Sequence, residues 1–310
     1  MKIIYFGTSE FAVPSLKVLA ESRHEIACVV TQPKRKKGRG LRLMDGPVGE
    51  YARALSLDVL EYDDVNSDIA VRSFRGKGAD IFVVSAFGQI FGKDLLSIPR
   101  LYPVNIHASM LPRYRGASPI QRAIINGDKK SGVTIIAMNG FLDQGDIITA
   151  EEADIAVSDD AVTLSDKLAV LAAGLILKTV DRIESGMVKF TRQDNIYATY
   201  APRLTKADGL IQWDLRAEDI LNKIRGCRPW PGAYTFVDKK LLKIIQARAY
   251  TPGDEYIAPG RVTASSGGEL IVSCARSAIK LEELQLEGRR PLKTTEFLRG
   301  YNIKQGTILG

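Results

Sequence analysis

The chain has 310 residues, carries 43 Lys and Arg against 36 Asp and Glu for a net charge of +7, and is 45% hydrophobic and 25% charged. This is the composition of an ordinary globular protein of one or two domains, and no apolar run is long enough to cross a membrane as a helix. Cys28, Cys227 and Cys274 are odd in number and widely spaced, which excludes a metal-ligand spacing and fits a reducing cytoplasmic location.

The chain opens on an apolar run, Lys2–Phe6, that reads as a first buried strand rather than a signal peptide. Gly7-Thr8-Ser9-Glu10-Phe11-Ala12 then forms the first β–α turn. It does not match G-x-G-x-x-G and no Walker pattern occurs, which weighs against a dinucleotide and against an ATP phosphate cradle. The turn is either a helix cap or a place where backbone amides and hydroxyls hold a substrate. A helix over Pro14–Glu21 and a strand over Glu25–Gln32 follow, with His24 between Arg23 and Glu25 expected at the surface. Lys34, Arg35, Lys36, Lys37, Arg39 and Arg42 crowd one stretch that contains no acid. Gly38 and Gly40 make it a flexible basic loop suited to phosphates and to ordering on binding. With a second excess of positive charge after residue 207, it points to a polyanion, nucleic acid, contacted at two places.

Helices over Val48–Leu55 and Ile69–Phe74 lead to a strand over Asp80–Ser85. That strand ends in Ala86-Phe87-Gly88-Gln89-Ile90. There Gly88 lets a backbone edge approach a flat heteroaromatic ring beside apolar Phe87, Ile90 and Phe91, although a strand that simply turns reads equally well. The strand Val104–His107 runs into Ala108-Ser109-Met110-Leu111-Pro112 and a cationic, flexible stretch, Arg113-Tyr114-Arg115-Gly116. Asn105 and His107 are two apart and share one face of that strand where its apolar run stops. A helix capped by Ser118 and opened by Pro119 extends to Ile125. Strands at Val133–Met138 and Ile147–Ala150 flank the turn Leu142-Asp143-Gln144-Gly145-Asp146. Amide, imidazole and carboxylate together stabilise an oxyanion and relay a proton. Read from the residues alone, either Asp143 or Asp146 could supply the carboxylate. The alternation of continuous apolar strands with helices predicts a doubly wound α/β domain of Rossmann type, with its site at the carboxyl ends of the strands.

A long helix, Leu164–Glu184, closes this first domain, 1–188. Residues 189–207 are polar and aperiodic and read as a linker. Residues 208–310 differ in kind. After a helix at Ala217–Ile224, β segments at Tyr234–Val237, Leu241–Ala249, Gly260–Ala264, Glu269–Val272 and Ile279–Gln285 predict a small C-terminal β-barrel, OB-like. Pro229-Trp230-Pro231-Gly232 is rigid and aromatic and is expected to pack rather than to stack on a ligand.

Taken together the chain resembles the methionyl-tRNA formyltransferases along nearly its full length. The resemblance rests on Phe6–Ala12, Thr31-Gln32-Pro33 with Gly38-Arg39-Gly40, Asn105–Gly116, Ser118–Gln121, Leu142–Asp146, Leu204-Thr205-Lys206 with Trp213, and Arg228–Tyr234. It implies that 1–188 is a formyltransferase catalytic domain and that the 208–310 barrel helps to hold tRNA. It implies 10-formyltetrahydrofolate as co-substrate, no metal, and the α-amine of methionylated initiator tRNA as acceptor. The family's catalytic trio maps onto Asn105, His107 and Asp143. Asn105 and His107 would donate to the oxyanion, while Asp143 would orient His107 and help to move a proton. Folate contacts fall to Phe87, Gly88, Gln89, Ile90, Ser109, Leu111, Pro112 and Asp143. The basic loop contacts tRNA, and Phe6, Gly7, Thr8 and Ser9 receive the methionyl end. A cytoplasmic monomer is expected. The competing readings are an N-formyltransferase for an amino sugar nucleotide, which would use the same trio, and a non-catalytic nucleic-acid-binding protein, which leaves the trio unexplained.

Overall fold

The computed structural model describes residues 1–37, 42–251, 258–275 and 277–310. To residue 184 the chain forms β1 (Lys2–Gly7), α1 (Val13–Ala20), β2 (Glu25–Thr31), β3 (Arg35–Lys37), β4 (Arg42–Met44), α2 (Pro47–Ala54), β5 (Val59–Glu61) and α3 (Asp68–Lys77). It continues through β6 (Ile81–Ser85), α4 (Lys93–Leu96), β7 (Tyr102–His107), α5 (Pro119–Ile125), β8 (Lys130–Ala137), β9 (Ile147–Asp154) and α6 (Ala161–Glu184). One sheet orders them β5-β2-β1-β6-β7-β8-β9. The first five are parallel, whereas β8 joins β7, and β9 joins β8, antiparallel. This antiparallel edge departs from the parallel expectation: β9 turns back on β8 because the 138–146 connection is too short for a helical crossover, while β8 runs against β7 although α5 lies between them. Its last strand carries Glu151, Glu152 and Asp154, charges that suit an edge.

The sheet interior is close to wholly apolar. Phe6 lies edge-on to Phe74, Phe87 and Phe91, with ring centroids 4.9–5.5 Å apart, and Ile4, Val30, Phe82 and Leu95 complete this core. Rings packed in this way add about 0.5–1.5 kcal/mol per pair beyond area burial. α3 starts at Ser67, whose hydroxyl accepts from the Ala70 N–H, and stops at left-handed Gly78. His24 is buried (6% exposed) rather than superficial. Its Nδ1 sits 3.1 Å from the Met1 ammonium and its Nε2 3.2 Å from Asp181. The basic stretch expected as a loop instead has arms, β3 and β4, paired as an antiparallel ribbon. Arg39 lies outside the described residues, as do the side chains of Arg35, Lys36, Lys37 and Arg42.

The chain divides into two compact units. One comprises Met1–Pro119, Lys130–Asp154 and Ser165–Ala201, the other Ile120–Lys129, Ile155–Leu164 and Pro202–Gly310. The second contains α7 (Ala217–Gly226), β10 (Tyr234–Val237), β11 (Lys240–Tyr250), β12 (Val262–Ser266), β13 (Glu269–Cys274), β14 (Ser277–Leu286), β15 (Leu292–Lys293) and α8 (Thr294–Gly300). Its antiparallel sheet, ordered β10-β11-β14-β13-β12 with β15 on β14, is a half-barrel. Leu242, Ile244, Val272, Leu281 and Leu284 alternate into its core against Ile220 and Ile224 of α7. Trp230, expected to pack, is 51% exposed; the turn that carries it is closed by its backbone, Gly232 N–H to the Cys227 carbonyl, without needing the indole as a packing anchor. In the same unit the Thr205 N–H and hydroxyl donate to Asp208 Oδ2 at 2.7 and 2.8 Å, and Arg122 meets Oδ1 at 2.8 Å. All three cysteines are free and buried. Burial pushes the Cys28 thiol up to about 12 and the Cys227 thiol up to about 11.

Candidate active site

β7 delivers Asn105 and His107 to one face at its carboxyl end, and Asp143 arrives on the turn between β8 and β9. Asp143 Oδ1 lies 3.3 Å from Asn105 Nδ2 and 3.5 Å from His107 Nδ1. Asp143 Oδ2 accepts the Gly116 N–H at 2.8 Å. His107 Nε2 sits 2.9 Å from the Tyr114 carbonyl. A carbonyl only accepts, so Nε2 carries the hydrogen of that bond. The imidazole therefore turns Nδ1, and no other nitrogen, toward the carboxylate and the amide. Asn105 is half-buried and His107 is 5% exposed, so a charge developing between them is poorly screened by water. Asp146 does not join them. Its carbonyl accepts the Ala137 N–H and its side chain is exposed, so the choice left open by the sequence falls geometrically on Asp143.

The backbone around the trio is held in unfavourable conformations. Tyr114 and Asp143 are left-handed, with φ of 62° and 53°, each at a cost of about 1 kcal/mol or more outside glycine. These conformations aim the Tyr114 carbonyl at His107 and the Gly116 N–H at Asp143. At Gly145 a β-carbon would fall 1.7 Å from the Ala137 carbonyl oxygen, so only glycine lets this turn close on β8.

What holds these turns comes from the segment read as a linker. Thr199 accepts the Tyr114 N–H on its hydroxyl at 2.8 Å and the Arg115 N–H on its carbonyl at 2.9 Å. The Ala201 N–H donates to the Arg115 carbonyl at 2.6 Å. Gln193 Nε2 donates to the carbonyls of Asp143 and Gly145 at 2.8 and 2.7 Å. Neither Gln193 nor Thr199 stood out in the sequence. Polar and aperiodic composition signals a loop, not what the loop touches.

The other anticipated contacts fare unevenly. Phe6 and Phe87 point their rings into the core, and the Phe87 carbonyl accepts from Thr8 Oγ1 and Gln32 Nε2. Of the three apolar side chains expected beside a flat ligand, Phe87 and Phe91 are buried and Ile90 alone is exposed. Gln89 is committed to the backbone of Val65 and Tyr62. Gly88 is left-handed, φ 86°, and neither its N–H nor its carbonyl has a hydrogen-bond partner among the described residues. Ser109 and Leu111 are buried and shape the bend, with Ser109 Oγ donating to the Arg113 carbonyl and Leu111 N–H to Thr134 Oγ1. Pro112 is half-buried beside them. Gly7 is hemmed in by the Tyr5 ring and Ala12, while Ser9 is exposed and makes no side-chain cap. Lys34 pairs with Asp45 at 3.4 Å. Among the described residues one group could hold a metal, His24, Asp181 and Glu184. It contains no member of the trio, and Arg23 and the Met1 ammonium already pair both of its carboxylates.

Residues 1–180 match the family described as formyl transferase, and 203–302 match the formyl transferase C-terminal domain. The methionyl-tRNA formyltransferase of Halothermothrix orenii is 44% identical over the whole of both chains. The chain belongs to the methionyl-tRNA formyltransferase family. At lower identity the fold is shared with an N-formyltransferase from Helicobacter canadensis in complex with folinic acid and dTDP-3-aminofucose (21% identity, TM-score 0.68, 91% of this chain and 98% of that one). It is also shared with HypX from Aquifex aeolicus in complex with tetrahydrofolic acid (16% identity, TM-score 0.64), where this family member covers 96% of itself and about half, 47%, of the longer chain. Among the described residues of this formyltransferase no helix is long and apolar enough to cross a membrane.

Proposed function

We propose that the chain transfers a formyl group from 10-formyltetrahydrofolate to the α-amine of methionyl initiator tRNA. Family membership supports the reaction, and the observation that carries the chemistry is the convergence of Asn105 and His107 on one carboxylate oxygen of Asp143. The co-substrate supplies a formyl carbon activated on N10. The free peptide groups of left-handed Gly88 fit a flat ring that needs several hydrogen bonds, with Ile90 beside it. Phe87 and Gln89 serve this edge through the backbone they fix. Ser109, Leu111 and Pro112 shape the opposite wall.

Asn105 Nδ2 donates to the formyl oxygen as it becomes negative. His107 can join it from Nδ1 alone, and only when that nitrogen is protonated. Asp143 balances the imidazolium, and the Nδ1–Oδ1 gap is where the proton lost by the attacking amine is held before it passes to the departing N10. Each oxyanion donor contributes roughly 3 kcal/mol to the transition state. Thr8 and Ser9 lie on the first turn, where the methionyl end is received, with Phe6 and Gly7 supporting them from the core. Lys34, Arg35, Lys36, Lys37, Arg39 and Arg42 contribute affinity for tRNA phosphates and no chemistry.

The test is formyl transfer from 10-formyltetrahydrofolate to methionyl initiator tRNA, run beside a dTDP-amino sugar. Transfer to tRNA alone is expected, and to be lost in Asn105→Ala with tRNA binding intact. Transfer to the sugar nucleotide alone would replace this reading with the sugar enzyme, and transfer to neither would leave a binding protein. Arg39→Ala with Arg42→Ala should flatten the slope of log affinity against log salt by about one to two. An unchanged slope would remove the basic stretch from the tRNA interface.

A further inference from the structure

Asp143 sits in a left-handed turn that its own chain does not favour, so something outside the turn holds it. Both hydrogens of the Gln193 amide are spent on that turn, on the carbonyls of Asp143 and Gly145. The amide oxygen accepts from Arg115 Nε at 3.1 Å and Nη2 at 2.8 Å. Arg115 Nη2 also reaches Asn195 Oδ1 at 2.9 Å. Gln193 and Arg115 are both buried.

A guanidinium is donor-only, so Arg115 fixes which end of the Gln193 amide faces it and thereby which end faces the turn. Among the described residues Arg115 has no carboxylate partner. A buried cation met only by neutral oxygens is a poor way to gain stability. Its geometry, by contrast, makes it an effective orienter. Arg115 also belongs to the stretch whose neighbours, the Tyr114 carbonyl and the Gly116 N–H, face His107 and Asp143. One tripeptide therefore sets the imidazole, the carboxylate and, through Gln193, the backbone beneath the carboxylate.

We propose that Gln193 is a positioning residue for Asp143 and that Arg115 aims it, so that the Arg115–Gln193 pair fixes the alignment of the carboxylate with His107 and Asn105. The proposal rests on the formyl-transfer reading for its kinetic consequence but not for its structural one. Gln193→Glu separates alignment from scaffolding. A glutamate keeps the shape and turns the contact with Arg115 into an ion pair, yet sets a carboxylate oxygen against the carbonyls of Asp143 and Gly145. If the pair aligns the site, kcat falls about 100-fold, KM for tRNA and folate stays within about threefold, and the melting temperature is unchanged or higher. Hydrogen exchange of the backbone amides in 139–147 rises at the same time. Arg115→Lys, which loses the fork but keeps the charge, falls between wild type and Gln193→Glu in kcat. Retained kcat in Gln193→Glu together with unchanged exchange across 139–147 would overturn the proposal. If wild type transfers no formyl group while the exchange of 139–147 still rises in Gln193→Glu, the functional reading fails and the positioning role stands.

Discussion

Two aspartates, one in each compact unit, sit on turns and accept backbone hydrogen bonds, yet their surroundings differ. Asp208 is saturated. Its Oδ2 takes the N–H and hydroxyl of Thr205, and Oδ1 takes a full positive charge from Arg122. Although burial opposes ionisation, those hydrogen bonds and the guanidinium hold its carboxyl below the usual range. Asp143 has one short bond, from the Gly116 N–H, while its other oxygen faces an amide and an imidazole at 3.3 and 3.5 Å. The first carboxylate is finished and stabilises. The second is anchored on one side and left open on the other, the arrangement that the proposed proton transfer requires.

Asp143→Asn should sharpen this contrast most. The amide keeps an acceptor for Gly116 but cannot balance an imidazolium, so kcat should fall about 1,000-fold with the fold intact. A loss under tenfold in single-turnover assays would place the proton transfer elsewhere. Gly145→Ala comes next. The clash with the Ala137 carbonyl should displace the turn and destabilise the protein by roughly 3 kcal/mol in urea unfolding, and a normal unfolding midpoint would show that the turn yields freely. Asp208→Asn should cost about 1 kcal/mol of stability, because its partners are partly exposed, and leave kcat unchanged. If it changes kcat more than stability, the contrast is broken. The smallest effect lies in pH. A carboxyl held below its usual value adds stability that is fully present above about pH 4 and is lost as pH falls through the folded value. The gap between wild type and Asp208→Asn in unfolding free energy should therefore narrow as pH falls below about 4, and a gap that does not change with pH across the acid range would remove ionisation from its cause.

Strands β1, β2, β6 and β7 were legible because a buried parallel strand is a continuous apolar run, and α1, α2 and α3 with them, whereas the four-residue α4 between β6 and β7 is too short to carry a helical period. The pairing of Asn105 with His107 was legible because the two share a strand face, whereas the residues alone left the carboxylate open between Asp143 and Asp146. β5 escaped notice, since three half-buried residues carry little periodicity. Gln193, Thr199 and the carbonyl of Tyr114 could not be read at all. Their contribution lies in peptide groups and amides brought together across long separations, and no spacing encodes that. The same reason explains Phe87. An aromatic at a strand end has the same signature whether its ring turns toward a cleft or, as here, toward Phe6 and Phe91.

The three sequestered thiols have a practical consequence. Because Cys28, Cys227 and Cys274 are enclosed and Cys28 and Cys227 also resist ionisation, maleimide dyes at neutral pH will find little to attack on the native fold. A single cysteine introduced at exposed Ile196 would thus take a fluorophore selectively, beside Asn195, and report on docking of a large acceptor without first stripping the natural thiols from the chain.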